Sequence, residues 1–245
     1  MQSVGVRVLD DVLHEAVGRR HRPDPVTGAT SGPAGNAELT AWTGLVLLAL
    51  IAVELVTLLD VHGLLSWHVV VGVLLTAVAA LKIASTGWRI LRYYTGNGPY
   101  RTAGPPPVLL RILGPMVIAG TVAVLVSGLW LIAVGPDGSR RPMATVLGRP
   151  LDWLTIHKAS FLFFAAVVGV HTLARLIPAV NLGTGRSRRE GGVGRLRGWG
   201  PRLAIVTATL VAGALAAVLI LPAASGWRNE RDFHDSPAGT GFHHD

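Results

Sequence analysis

Residues 154–177, LTIHKASFLFFAAVVGVHTLARLI, decide the fold of this chain. The stretch is apolar almost throughout, and a helix of about 20 residues crosses the roughly 30 Å hydrocarbon layer of a bilayer. Similar stretches are residues 41–63, 67–88, 112–134 and 203–223. The sequence therefore predicts an all-α integral membrane protein with five transmembrane helices.

The composition agrees with a membrane location. Half of the 245 residues are hydrophobic, the mean hydropathy is +0.48, and the apolar residues form long runs instead of the amphipathic stripes of a soluble domain. The chain contains no cysteine, so it can form neither a disulfide nor a thiolate-bound iron–sulfur cluster. Any redox role would need a bound cofactor. The polar N-terminal segment lacks an apolar signal region, so we expect no cleaved signal peptide.

The formal net charge of +8 comes from arginines whose positions follow the predicted helices. They are dense before the first helix, between the second and third, and between the fourth and fifth. By the positive-inside rule these segments are cytoplasmic, so the N-terminus lies inside the cell (inner) membrane and the C-terminus outside. No soluble domain carries the charge, and we expect no nucleic-acid partner.

The predicted helices divide the chain into parts with different compositions. These are a cytoplasmic segment at 1–40, a four-helix membrane domain at 41–178, an Arg/Gly-rich cytoplasmic loop at 179–202, the fifth helix at 203–224 and a polar extracytoplasmic tail at 225–245. The tail histidines have no regular ligand spacing, which predicts a solvated tail rather than a metal site.

Ionisable residues recur fourteen positions apart in two predicted helices, as His157 with His171 and as His68 with Lys82. Fourteen residues of α-helix return a side chain to within about 40° of the same face, about 21 Å along the axis. Because both helices begin on the same side, His68 and His157 lie at equal depth, and His171 lies level with Lys82. Intramembrane histidines are rare and usually functional. Two that face each other can hold the iron of one haem, so the spacing suggests a membrane haem protein.

Several segments, covering about residues 41–178, resemble membrane cytochromes b. The resemblance is to the cytochrome b561 and ferric-reductase-like type, which includes membrane subunits of bacterial hydrogenases and formate dehydrogenases. It implies that the first four helices form an up-down bundle that binds b-type haem and passes electrons between quinone and a partner protein. The matching segments are the fourth helix from His157 to Arg175, the run Trp67-His68-Val-Val-Val-Gly72, and the third-helix pattern from Arg111 to Ser127-Gly128.

The resemblance also implies metal ligands. His68 and His157 would be the axial ligands of an outer haem b, and His171 a candidate ligand of an inner one. Lys82 stands where a second histidine would close the inner pair, so we expect one haem, with two as the alternative. Lys82 either ligates the inner haem or extends toward the lipid headgroups, as lysines near a membrane boundary commonly do.

Other polar residues offer alternatives. His62 lies at a depth similar to His68, and could replace it as a ligand or accept a proton from quinol. Lys158 and Arg175 are candidates for pairing with haem carboxylates, or for a purely topological role. Glu54 and Asp60 are costly in lipid and should face the bundle interior or a wet cavity.

Together these features predict an electron-transfer subunit of an oxidoreductase. The expected partners are membrane lipid, quinone or quinol, an extracytoplasmic or membrane redox protein, and a second copy of the chain. No nucleotide-binding loop is evident, so turnover of nicotinamide cofactors by this chain is not expected. The alternative is a haem-free membrane protein, either a structural or assembly subunit or a small proton-coupled transporter.

Overall fold

The computed structural model of the protein describes residues 24–104, 108–146, 148–184 and 196–227. Predictions for the first 23 residues, for residues 185–195 of the Arg/Gly-rich loop and for the tail beyond Trp227 fall outside this part of the chain. Within the described residues, five helices are long and apolar enough to cross a membrane. The predicted all-α fold with five membrane helices is therefore confirmed.

The helices follow one another with short connections. In chain order the elements are α1 (Gly32–Thr57, extended by a 3-10 turn at Leu58–Asp60), α2 (Leu65–Tyr94), α3 (Gly98–Ala103), α4 (Val108–Ser139), the strands β1 (Ala144–Val146) and β2 (Arg149–Leu151), α5 (Trp153–Gly183) and α6 (Trp199–Ile220, followed by a 3-10 turn at Leu221–Ala224). The strands pair antiparallel between α4 and α5. Each of the five long helices begins before its predicted range, and α2 and α5 also end beyond it, whereas the α4 backbone leaves the helical conformation at Gly135.

The largest difference is at the start of α1, which begins at Gly32 rather than at residue 41. The sequence placed residues 33–40 in the cytoplasmic segment before the first helix. Pro33 lies in the first turn, where its fixed φ favours a helix and its missing N–H costs nothing. Glu38, which lowers the hydropathy of this segment, is neutralised by Arg202 of α6 at 2.7 Å.

The first four spanning helices form a closed ring. Helix α1 packs against α2 and α5, and α4 packs against the same two helices. The chain therefore crosses up and down through a four-helix bundle. Helix α6 lies outside this ring against α2, where Gly213 allows close contact with Leu74 and Ala77.

A buried ion pair joins α6 to the first turns of α1. Glu38 is 1% exposed and Arg202 is 6% exposed. The Arg202 Nη1 also donates to the carbonyl oxygens of Thr30 at 3.1 Å and Arg197 at 3.0 Å. Beside this pair, the rings of Trp42 and Trp199 meet edge to face with their centroids 6.1 Å apart. We refer to these contacts between α1 and α6, centred on Glu38 and Arg202, as the clasp.

Candidate functional site

The four-helix bundle encloses a cavity of about 660 Å³. This volume lies in the range of sites that hold cofactors, roughly 300–1,000 Å³. Leucine, isoleucine, valine and phenylalanine side chains from all four helices make up most of its lining. The ionisable residues in the lining are Glu54, His68, Lys82, His157, Lys158, His171 and Arg175.

His68 of α2 and His157 of α5 face each other in this cavity. Their ring centroids are 6.5 Å apart and the ring planes are 81° from parallel. A metal bonded to two opposed imidazole nitrogens at about 2.0–2.1 Å separates the ring centroids by about 6.3 Å. The separation of the two histidines is therefore compatible with one metal held between them. We call this part of the cavity the histidine-pair end.

The hydrogen bond of His157 leaves its Nε2 available to a ligand. Its Nδ1 lies 3.0 Å from the Ser127 hydroxyl, which donates its own hydrogen to the carbonyl of Val124 at 3.1 Å. While the hydroxyl donates to Val124 it can only accept a hydrogen from Nδ1, and in a neutral imidazole that arrangement leaves the lone pair on Nε2. Gly128 lets the ring lie close to α4, because a Cβ there would be 3.1 Å from the His157 Cε1.

His68 is oriented in the same way from α1. Its Nδ1 lies 2.8 Å from the Glu54 Oε1 and 3.1 Å from the Thr57 hydroxyl. The Thr57 hydroxyl donates to the backbone carbonyl of Glu54 at 2.6 Å, so it too acts as an acceptor for Nδ1. These neighbours favour the tautomer with the hydrogen on Nδ1 in both histidines. Metal-bound histidines are commonly fixed by such acceptors on the second ring nitrogen.

The contact between Glu54 and His68 was not predicted. The sequence placed Glu54 toward the bundle interior or a wet cavity but did not pair it with a particular residue. The available signal was Glu54 and Thr57 three positions apart, which puts two acceptors on one face of α1. The turn that sets the register of α1 against α2 could not be read from the sequence.

At the other end of the cavity, Lys82 turns inward instead of toward the headgroups. Its Nζ donates to the carbonyl of Thr40 at 2.9 Å, across the position where Gly44 has no side chain. His171 and Arg175, one turn apart on α5, line the same cavity. We call Lys82, His171 and Arg175 the lysine end.

The remaining predicted residues are divided between the cavity and the surface. Lys158 follows His157 and lines the cavity. His62 is exposed in the turn between α1 and α2 and does not line it. Asp60 accepts the backbone N–H of Gly63 at 2.8 Å and so closes that turn. The structure therefore brings His68, rather than His62, against His157.

The described residues contain no cluster of three or more His, Cys, Asp or Glu side chains that could hold a metal ion. A metal at the histidine-pair end would therefore need ligands beyond the two imidazoles, and the four nitrogens of a porphyrin would supply them. Comparison of the chain with models of protein families, with curated proteins and with solved structures found no match.

Proposed function

We propose that this chain is a membrane b-type cytochrome, which holds one haem between His68 and His157 and passes electrons between quinone in the bilayer and a partner redox protein. The observation that carries the proposal is the facing pair of imidazoles in an apolar cavity, each with Nδ1 occupied by an acceptor on a neighbouring helix.

The rest of the cavity fits the same group. Its apolar lining suits a porphyrin, and Gly128 gives His157 room against α4. The cations in the lining are Lys82, Lys158 and Arg175, against the single carboxylate of Glu54. Lys158 adjoins a ligand position and suits pairing with a haem carboxylate. Haem b would supply one-electron redox chemistry at this site.

The protein's own contribution is orientation and environment. Glu54 and Thr57 hold the ring of His68, and Ser127 holds that of His157. A carboxylate that accepts a hydrogen bond from a ligand histidine increases the basicity of that ligand, which favours the oxidised metal. The apolar walls lower the local dielectric around the site and so increase the effect of these hydrogen bonds.

One haem per chain is the number that these residues support. The lysine end offers His171 but no second histidine, and the Lys82 amine already donates to the Thr40 carbonyl. In the orientation given by the positive-inside rule, the histidine-pair end lies near the extracytoplasmic side. That position suits exchange of electrons with an extracytoplasmic or membrane partner.

The test of this function is reduction of the bound haem by quinol. The full chain is purified in mild detergent from haem-replete cells and reconstituted in liposomes. We expect a short-chain quinol to reduce the haem, as measured by the rise of the reduced b-type absorption band. Protein that binds haem but is reduced only by dithionite would remove quinone from the proposal. Protein that carries no haem would overturn the whole proposal in favour of a haem-free assembly subunit or transporter.

A further inference from the structure

The wall of the cavity includes a side chain from outside the four-helix bundle. Trp227, which follows α6, lines the cavity, whereas every other lining residue in the described part of the chain lies between Gly44 and Ala179. The four bundle helices already form a closed ring, and α6 packs outside it against α2. A helix that is not part of the ring therefore contributes to the cavity through the segment that follows it.

This segment is packed over the joint between α2 and α4. Its 3-10 turn, Leu221–Ala224, contacts both helices, and Ala224 is only 1% exposed. The backbone of Gly226 lies beside Pro136 of α4, since a Cβ at this glycine would be 3.5 Å from the proline Cδ. The chain thus follows the surface of the ring up to the point where the indole of Trp227 reaches the cavity.

Contacts at the end of α4 hold the indole in a defined orientation. The Trp227 Nε1 donates to the carbonyl oxygen of Leu131 at 3.2 Å. The α4 backbone bends at Gly135, where φ is 69°, and beyond this bend the guanidinium carbon of Arg140 lies 5.8 Å from the centroid of the Trp227 ring. A cation within about 6 Å of an aromatic centroid is attracted to the face of the ring.

The indole lies at the histidine-pair end of the cavity. Its acceptor, Leu131, is about one turn along α4 from Gly128, the residue that lies against the ring of His157. Both Leu131 and Gly128 line the cavity. Trp227 is therefore part of the wall about 5 Å along α4 from the point where His157 contacts this helix.

A flat apolar side chain at this place suits the wall of a site that retains a large apolar ligand. Sites that bind such ligands cover most of the ligand surface, roughly 70–90% of it. A buried tryptophan covers more apolar area than any other side chain, on the order of 250 Å². Without the indole, the wall would have a gap beside His157, where water could enter and a bound macrocycle would lose apolar contact.

We propose that Trp227 is a residue of the haem site, which closes the cavity beside the histidine pair and slows the loss of haem. This inference rests on the proposed haem function. It also gives α6 a role, because the clasp anchors this helix at its beginning and Trp227 anchors the segment at its end. The helix outside the ring thereby holds part of the wall of the cavity inside it.

The test measures how fast haem leaves the purified full chain. Haem-loaded protein in detergent is mixed with an excess of apomyoglobin, which captures released haem, and the transfer is followed by the change in Soret absorption. Trp227→Ala should lose haem at least about tenfold faster than wild type, because weaker contacts act mainly on the dissociation rate. Trp227→Phe keeps an aromatic ring in the wall and should stay within about threefold of the wild-type rate.

Trp88→Ala is the matched control. Trp88 also has an arginine over its ring, with the guanidinium carbon of Arg92 at 5.4 Å, but it is 51% exposed and does not line the cavity. Its replacement should leave the rate of haem loss unchanged. If Trp227→Ala folds poorly, Trp227→Leu provides a second test. Leucine covers less of the wall than the indole, so haem loss should be at least about threefold faster than in wild type.

Two results would overturn this inference while leaving the proposed haem in place. Loss of haem at the wild-type rate from both Trp227→Ala and Trp227→Leu would remove Trp227 from the site. An equal acceleration in Trp88→Ala would show that loss of any tryptophan loosens the protein. Wild-type protein that carries no haem would overturn the proposed function, and this inference with it.

Discussion

Single hydrogen bonds decide what the two facing histidines can bind. Ser127 donates to Val124 and accepts from His157, while Thr57 donates to Glu54 and accepts from His68. Each hydroxyl has only one hydrogen, so its donation to a backbone carbonyl makes it an acceptor toward the ring. The result is one tautomer for both rings, with Nε2 free to act as a ligand.

Replacement of Glu54 tests how its contact with His68 affects the midpoint potential of the proposed haem. Glu54→Gln keeps an oxygen that can accept from the His68 Nδ1, but removes the negative charge. We expect the haem to remain bound and its midpoint potential to rise by on the order of 50 mV, since the neutral amide favours the oxidised metal less. Asp60→Asn is the control, because Asp60 closes a turn outside the cavity. Equal midpoint potentials in wild type and Glu54→Gln would show that the charge of Glu54 does not affect the potential of the haem.

The ends of the helices depend on residues outside the apolar stretches. Asp152 caps α5, and its side chain accepts the backbone N–H of Thr155 at 2.7 Å. This hydrogen bond to the charged form holds the pKa of Asp152 below the ordinary value for an aspartate. A carboxyl with a depressed pKa in the folded state stabilises the fold above its unfolded pKa. That stabilisation is lost as the pH falls from about 4 through the folded pKa.

Two substitutions at Asp152 separate the cap from its charge. Asp152→Ala should lower the free energy of unfolding by about 1 kcal/mol at neutral pH, because the Thr155 N–H loses its acceptor. Asp152→Asn keeps an acceptor, so it should retain most of the stability while losing the dependence on acid below pH 4. Denaturation in detergent at pH 7 and pH 3 measures both. A wild-type stability that does not fall more than that of Asp152→Asn in acid would contradict this role.

The clasp fixes α6 to the bundle through a buried ion pair. Arg202→Met would leave Glu38 buried without its cation, and removal of one partner of a buried pair costs about 3–5 kcal/mol. We expect a marked fall in thermal stability. The double variant Glu38→Leu with Arg202→Met removes both charges, and should recover much of the loss. A double variant no more stable than Arg202→Met would show that the packing around the clasp, rather than the buried charge, determines the effect.

At the scale of the whole molecule, the number of membrane helices could be predicted from the sequence. A membrane helix needs an apolar stretch long enough to cross the bilayer, and such stretches can be recognised directly. The sequence also placed His68 and His157 at equal depth, since helix order and spacing determine depth. It missed the early start of α1, where Arg202, far along the chain, neutralises the Glu38 that lowers the hydropathy of this segment. Hydropathy and residue spacing do not predict which distant segments of the chain contact each other.

The same limit applies to the candidate site. The sequence offered His62 and His68 as alternatives, and the tight turn closed by Asp60 leaves His62 exposed while His68 enters the cavity. It left open whether Lys82 ligates an inner haem or reaches the headgroups, and in the structure Gly44 provides space for the amine to approach α1. The inward turn of Lys82 follows from a missing side chain on another helix.

The central claim is that one haem is held by His68 and His157. The most direct measurement is haem content per chain, by the pyridine haemochrome assay, in wild type and in the four single variants His62→Ala, His68→Ala, His157→Ala and His171→Ala, all made in haem-replete cells. We predict about one b-type haem in wild type, His62→Ala and His171→Ala, and loss of haem in His68→Ala and His157→Ala. Haem that persists in both His68→Ala and His157→Ala, or a wild type without haem, would contradict the account.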